Sequence, residues 1–257
     1  MQGATLKHVF VAALMAVAGL IASGKATAGI SIPAGASIQL NGGTVAGAGD
    51  VTIAGQLGVG GGQLVGVDNL LVTSGGSLLG GAGLIELAGD WQVDGDFDPG
   101  SGTVRFVDGA FASSHIVGSN TFSTLSLVSM LGKHIVVDAG GIQTILAHLE
   151  ITGTAADPLQ IERLPSGAEG QFNLAAGGTQ SIIHVGVSNV HANGQPLAPA
   201  ETNEGGAGNA LGWFGAVVAA AIVAPQVIPA LQLPILLLLS ALLAGMGLTA
   251  ARSRLGS

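Results

Sequence analysis

The chain has 257 residues, of which 44 are glycine, 48% are hydrophobic and only 9% are charged, and it has no cysteine. That much apolar content with so little charge excludes a disordered chain. Glycine without a G-X-Y period excludes collagen, and the missing thiols exclude a disulfide framework and thiolate metal sites. Between Lys25 and Arg252, three cations (Arg105, Lys133, Arg163) stand against all fifteen acidic residues. Such a balance repels phosphate backbones and argues against nucleic acid as a partner.

Residues 1–28 have the order of a secretory leader. Lys7 and His8 close a short basic region, Val9 to Ala22 are apolar, and Ala26-Thr27-Ala28 is a small-x-small cleavage site. Signal peptidase is expected to cut after Ala28.

Residues 29–213 carry short alternating runs bounded by glycine pairs: Val51-Thr52-Ile53, Leu70-Leu71-Val72, Leu84-Ile85-Glu86-Leu87, Val104-Arg105-Phe106-Val107 and His134-Ile135-Val136-Val137. Runs of that length with turn residues at their ends predict β-strands. No sustained 3.6-residue apolar period predicts a long helix here. Ala48 to Gly55 aligns with Ala82 to Gly89, and Gly42-Gly43 with Gly75-Gly76. Half of that interval is taken as the coil length. One short strand cannot bury its face alone, whereas stacked coils share one core. The fold class expected is all-β, a glycine-rich right-handed parallel β-helix or solenoid-like domain. A β-sandwich is the alternative. The repeat fades after about residue 110, so irregular or sandwich-like packing is expected beyond it.

Three segments, Gly89-Asp90-Trp91, Gly95-Asp96-Phe97 and Gly102-Thr103-Val104-Arg105-Phe106, are followed by Phe122-Ser123-Thr124-Leu125 and by Gly208-Asn209-Ala210-Leu211-Gly212-Trp213. In this order they resemble a segment recurrent in large bacterial surface proteins of β-helical, adhesin-like architecture. The resemblance covers about residues 88–214. It implies an extracellular scaffold or adhesion role and carries over no functional residue.

A search for chemistry finds little. Asp94, Asp96 and Asp98 alternate like the start of a calcium loop, but Pro99 and Arg105 stand where glycine and glutamate are needed. They are expected to be solvated carboxylates on a turn. His115, His134, His148, His184 and His191 show no metal-ligand spacing. There is no G-x-S-x-G elbow, and the glycine clusters at Gly47 to Gly49 and Gly58 to Gly62 read as turns. A β-helical glycosidase or lyase would need paired carboxylates, for which Glu86, Asp108, Asp138 and Glu150 are candidates. Aromatic residues, which stack on sugars, are only 4%, with no tyrosine. No catalytic residue, cofactor or metal is assigned.

Residues 214–234 form a linker, residues 235–251 an apolar segment and residues 252–257 a tail with Arg252 and Arg254. An apolar stretch of that length followed by arginines predicts a transmembrane helix with a cytoplasmic C-terminus. Ile228-Pro229-Ala230-Leu231, the apolar helix and the arginine cluster together resemble the C-terminal sorting signals of Gram-negative bacteria, the IPTL class and its PEP relatives. The resemblance implies an exosortase-type membrane enzyme that reads the motif and releases the tail. The sequence differs from the pattern at Ala230, where threonine is usual, at Gln232, where serine is common, and at Pro234, near where tryptophan is expected. The expectation for the whole chain is an exported, membrane-anchored or sorted cell-surface protein, structural or adhesin-like. It would serve biofilm or extracellular matrix and have polysaccharide as a possible partner. The alternative is a carbohydrate-active β-helix enzyme.

Overall fold

The computed structural model describes residues 29–164 and 166–215. The leader with Ala26 and Ala28, the motif Ile228, Pro229, Ala230 and Leu231, the apolar segment 235–251, and Arg252 and Arg254 lie outside the described residues. Among the described residues there are nineteen strands and no helix.

The chain winds round three faces. The first coil starts with β1 (Ile30–Ile32) on the first face and β2 (Ser37–Gln39) on the second. Next, β3 (Thr44–Ile53) bends from the third face onto the first face of the following coil. β4 (Gln56–Gly58), β5 (Gln63–Val72) and β6 (Ser77–Leu79) repeat that path. From there the third and first faces carry separate strands, β7 (Leu84–Leu87) and β10 (Thr103–Phe106) on the third and β8 (Trp91–Val93) and β11 (Ser113–Ile116) on the first, while β9 (Asp96–Asp98) continues the second. Beyond them, β12 (Asn120–Val128) and β14 (Ile142–Thr152) bend from second face to third, flanking β13 (His134–Val137) on the first. The last strands are β15 (Leu159–Arg163), β16 (Gly170–Leu174), β17 (Thr179–Ile183), β18 (Val185–Ser188) and β19 (Val190–Gly194).

Each strand pairs in parallel with its equivalent in the next coil. The result is a parallel β-solenoid of about eight turns. A sandwich is built from antiparallel neighbours, so the pairing decides for the solenoid. Parallel stacking also continues past residue 110, where Ile142 pairs with Gln171 and Leu159 with Val185. Those coils are irregular in length, with Gly170 pairing with Val190 as well, but they keep the parallel stack.

The core is a set of apolar columns. On the first face Ile32, Ile53 and Val72 are in register; on the third, Leu64, Ile85, Val104, Leu125 and Leu149. All of these side chains are buried, and full burial of each contributes about 1.5–3 kcal/mol. Trp91, Phe97 and Phe122 pack ring to ring at 5.0 to 6.1 Å. Two amides lie among them. Trp91 Nε1 donates to Asn120 Oδ1 at 3.0 Å, and Asn120 Nδ2 donates to Gln143 Oε1 at 3.1 Å. Gln143 Nε2 completes the chain on the Gly118 carbonyl at 2.7 Å, so these buried polar groups are satisfied.

The coil length differs from the sequence expectation. Thr44 stacks on Gln63, 19 residues on, and Gln63 on Leu84, 21 residues on. The alternation arises at the corner between first and second faces. It is long at residues 33–36 and 73–76 and short at 54–55 and 94–95. Segments Val51-Thr52-Ile53 and Leu84-Ile85-Glu86-Leu87, which align in sequence, therefore sit on different faces. The first stacks on Leu70-Leu71-Val72, the second on Thr103 to Phe106.

The corner between second and third faces is constant. Its turn places Asn41, Gly60, Gly81 and Gly100 one above another, with φ of 46°, 62°, 62° and 54°. A β-carbon on Gly81 would lie 2.6 Å from the Gly60 carbonyl oxygen, whereas one on Gly75 (φ 88°) would meet nothing within 4 Å. Gly75→Ala therefore incurs only the left-handed strain of about 1–2 kcal/mol, and Gly81→Ala adds a backbone clash. Thermal unfolding is expected to show a clearly lower Tm for Gly81→Ala than for Gly75→Ala; equal losses would contradict the close stacking.

Candidate functional site

A groove of about 610 Å³ runs along the corner between third and first faces. Its floor is bare because the strands are bulged there: β3 shifts register between Ala46 and Val51, and β5 between Leu64 and Val67. Gly47 and Gly66 stack at these bulges with φ of 67° and 68°. A β-carbon on Gly66 would lie 2.9 Å from the Gly47 nitrogen, so Gly66 can carry no side chain over this floor. Asp68, Glu86 and Asp108 line the groove together with the small residues Ala88, Gly109 and Ala110.

The loop 107–112 closes one end. Lys133, 2% exposed, lies beneath it. Its Nζ donates to the Ala88 carbonyl at 2.6 Å and to the Phe111 carbonyl at 2.8 Å. Asp108 accepts from Ser129 Oγ and from the Met130 backbone N–H, both at 2.7 Å. The loop is thus tied to the coil above it by one buried cation and one carboxylate. Beyond it a second hollow of about 350 Å³ is lined by Phe111, Leu131, Lys133 and His134. Phe111, Met130 and Leu131 present exposed apolar surface at this corner.

The sequence candidates separate on the structure. Glu86 and Asp108 share the groove. Asp138 accepts from the Gly118 N–H at 2.6 Å and lies 2.7 Å from His115 Nε2. Glu150 accepts from Ser126 Oγ at 2.6 Å, and Glu86 faces Arg105 at 3.9 Å. Each candidate carboxylate therefore meets a residue of an adjacent coil. The histidines behave alike: His134 pairs with Glu162 at 2.9 Å, His148 with Thr179 at 2.7 Å, His184 with Glu204 at 3.1 Å and His191 with Asn209 at 3.1 Å. His184 is not within a strand. It links β17 to β18 at φ 51°. Asp96 and Asp98 are exposed residues of strand β9, not of a turn. Among the described residues no group of three or more His, Asp or Glu side chains could hold a metal ion.

Sequence reasoning missed two features. One is a polar ladder at the start of the first face. Asp50 accepts from Asn69 Nδ2 at 2.8 Å, Asn69 Oδ1 from the Asp90 N–H at 2.8 Å, and Asp90 Oδ1 from the His115 N–H at 2.8 Å. Its signal, the polar residues Asp50, Asn69 and Asp90 each just before a first-face run, becomes legible once the 19- and 21-residue steps are known. The other is Lys133, whose burial no local pattern announces.

Burial pushes the Lys133 ammonium below its ordinary value of 10.5, with Asp108 and Asp90 pulling the other way. Between the lowered folded value and 10.5 the unfolded chain binds the proton more tightly, so stability from this group rises with pH across that window. Below the window both states are charged, and the desolvation cost stays with the folded state. Relative to Lys133→Met, the wild-type unfolding free energy in urea is expected to climb as pH is raised through the alkaline range towards 10.5. A flat difference would show that the ammonium is not desolvated. The chain matches no family model, no curated protein and no solved structure.

Proposed function

We propose that this protein is exported and acts as a structural, adhesin-like element of the bacterial cell surface or extracellular matrix, without enzymatic activity. Signal peptidase removes residues 1–28 after Ala28. The segment 235–251, flanked by Arg252 and Arg254, enters the lipid bilayer. An exosortase-type enzyme reads Ile228-Pro229-Ala230-Leu231. The observation that carries the scaffold reading is the use of the ionisable side chains. Glu86, Asp108, Asp138, Glu150 and the histidines His115, His134 and His184 are engaged from one coil to the next. Groups spent on holding a stack together suit a scaffold better than a turnover site, where acid and base must face the substrate.

The surface that would meet extracellular polysaccharide is the corner groove. Carboxylates of Asp68 and Glu86 can accept from sugar hydroxyls, and Phe111 offers an exposed ring for stacking at the end of the groove. Fractionation of the producing cells, with intact mass of the product, tests the export reading. The expected protein lies in the envelope or matrix and begins at Gly29; a cytoplasmic product retaining residues 1–28 would refute it. Retention on polysaccharide from the same cells is expected to fall several-fold in Phe111→Ala and in Asp68→Asn/Glu86→Gln, with unchanged far-ultraviolet circular dichroism.

One observation favours a second reading. Asp68, Glu86 and Asp108 share a single groove, as the paired carboxylates of a glycosidase or lyase would. New chain ends released from the polysaccharide by the wild type, and lost in Glu86→Gln, would replace the scaffold with that enzyme.

A further inference from the structure

The two ends of the stack are finished differently. At the C-terminal end the chain turns back over the last coils. Ser188 pairs with Gly208 and Leu197 with Trp213, and the Trp213 ring is buried 5.9 Å from Phe172 and 5.9 Å from Phe214. At the N-terminal end β1 pairs with β3, β2 with β4, and Thr44–Ala46 with β5. Among the described residues no strand covers their other side. Ile38 is 42% exposed there, and Ile30, Ala36, Leu40 and Val45 are half-buried around it.

Such an edge is a template for further strand pairing, and monomeric proteins blunt it with lysines or other charges. This one carries none. From Gly29 to Gly49 the sequence holds no ionisable side chain, although the residues from Asp50 onward contain all fifteen acids. The edge is therefore the region where two copies of an acidic protein can approach without like-charge repulsion. Cleavage after Ala28, the reading on which this step rests, leaves a mature chain that starts at Gly29, directly before β1. No upstream segment then remains to cover the first coil.

We infer that the mature protein pairs through this edge with a second copy, head to head across a two-fold axis. A two-fold perpendicular to the solenoid axis keeps the handedness of the coil but reverses the direction in which the chain circulates as seen from one side, so strands meet antiparallel across the joint. One edge strand crosses its own counterpart and the other two exchange partners. Antiparallel pairing fits the open edge without a change of register within either copy. Assembly stops at two, because the opposite end is covered by Trp213 and its turn and offers no matching edge for a head-to-tail filament.

The test uses the full chain, expressed with its leader, exported and extracted in detergent, with intact mass and light scattering read on one sample. A product beginning at Gly29 with the mass of two copies is expected. Ile38→Lys and Ser37→Lys, which each place opposed ammonium groups on the joint, are expected to halve that mass with unchanged circular dichroism. Leu211→Lys, at the far end, leaves it at two. A processed wild type that runs as one copy, or lysine variants that remain paired, would overturn the inference while leaving the export reading intact. A product still carrying residues 1–28 would overturn both, since the chain would then not begin at Gly29 directly before β1.

Discussion

Everything in this molecule follows from the requirement that each backbone N–H and C=O find a partner in the coil above or below. A three-residue strand such as β4 or β6 has no stability by itself. It holds because the same three residues pair on both sides, Gln56 to Gly58 between Ser37 to Gln39 and Ser77 to Leu79. Strands in a parallel ladder lie about 4.8 Å apart, and every corner must respect that spacing. Glycine abundance is one consequence. At Gly62, Gly81 and Gly83 a β-carbon would sit within 3 Å of atoms in the coil below, so the residue is set by stacking distance before any function is considered.

The same constraint governs the polar groups. In a stack, a side chain that points outward has an equivalent one coil away, and like charges one coil apart repel. The protein answers with alternation. Asp50, Asn69, Asp90 and His115 form a ladder in which carboxylates alternate with donors. Arg105 stands over Glu86, and Glu150 takes a hydroxyl from Ser126. Where a polar residue must enter the core, as at Asn120 and Gln143, it does so as part of a closed set of hydrogen bonds. A half-completed set would cost more than apolar residues in the same place.

Strand identity was legible in the sequence because it is local. Val51-Thr52-Ile53, Leu84 to Leu87 and His134 to Val137 are strands as expected, since alternation and glycine punctuation act over a few residues. Trp213, at the end of the Gly208 to Trp213 segment, is buried against Phe172 of the last coils. Register was not legible. Ile53 and Leu87 both end short apolar runs before glycine, yet they belong to different faces. What separates them is the alternation of long and short corners at 33–36 and 54–55, which no fixed period captures. The groove stayed hidden for the same reason. Asp68, Glu86 and Asp108 come together only when the steps between coils are known.

The corner between third and first faces is where the lattice relaxes. Strands β3 and β5 are bulged there, Gly47 and Gly66 adopt left-handed backbone, and the loop 107–112 departs from the repeat altogether. A loop that left the stack would normally leave unsatisfied backbone behind it. Here the Lys133 amine fills that role, with Nζ bonded to carbonyls of Ala88 and Phe111. A lysine drawn into the interior is costly unless its protons find acceptors, and two carbonyl oxygens suit a neutral amine as well as an ammonium. Because rigid faces hold this irregular corner in place, it can differ in shape and side chains without disturbing the coils. That is the usual division of labour between a scaffold and the loops that recognise a partner, and it makes this corner, rather than the regular faces, the part of the solenoid where specificity can reside.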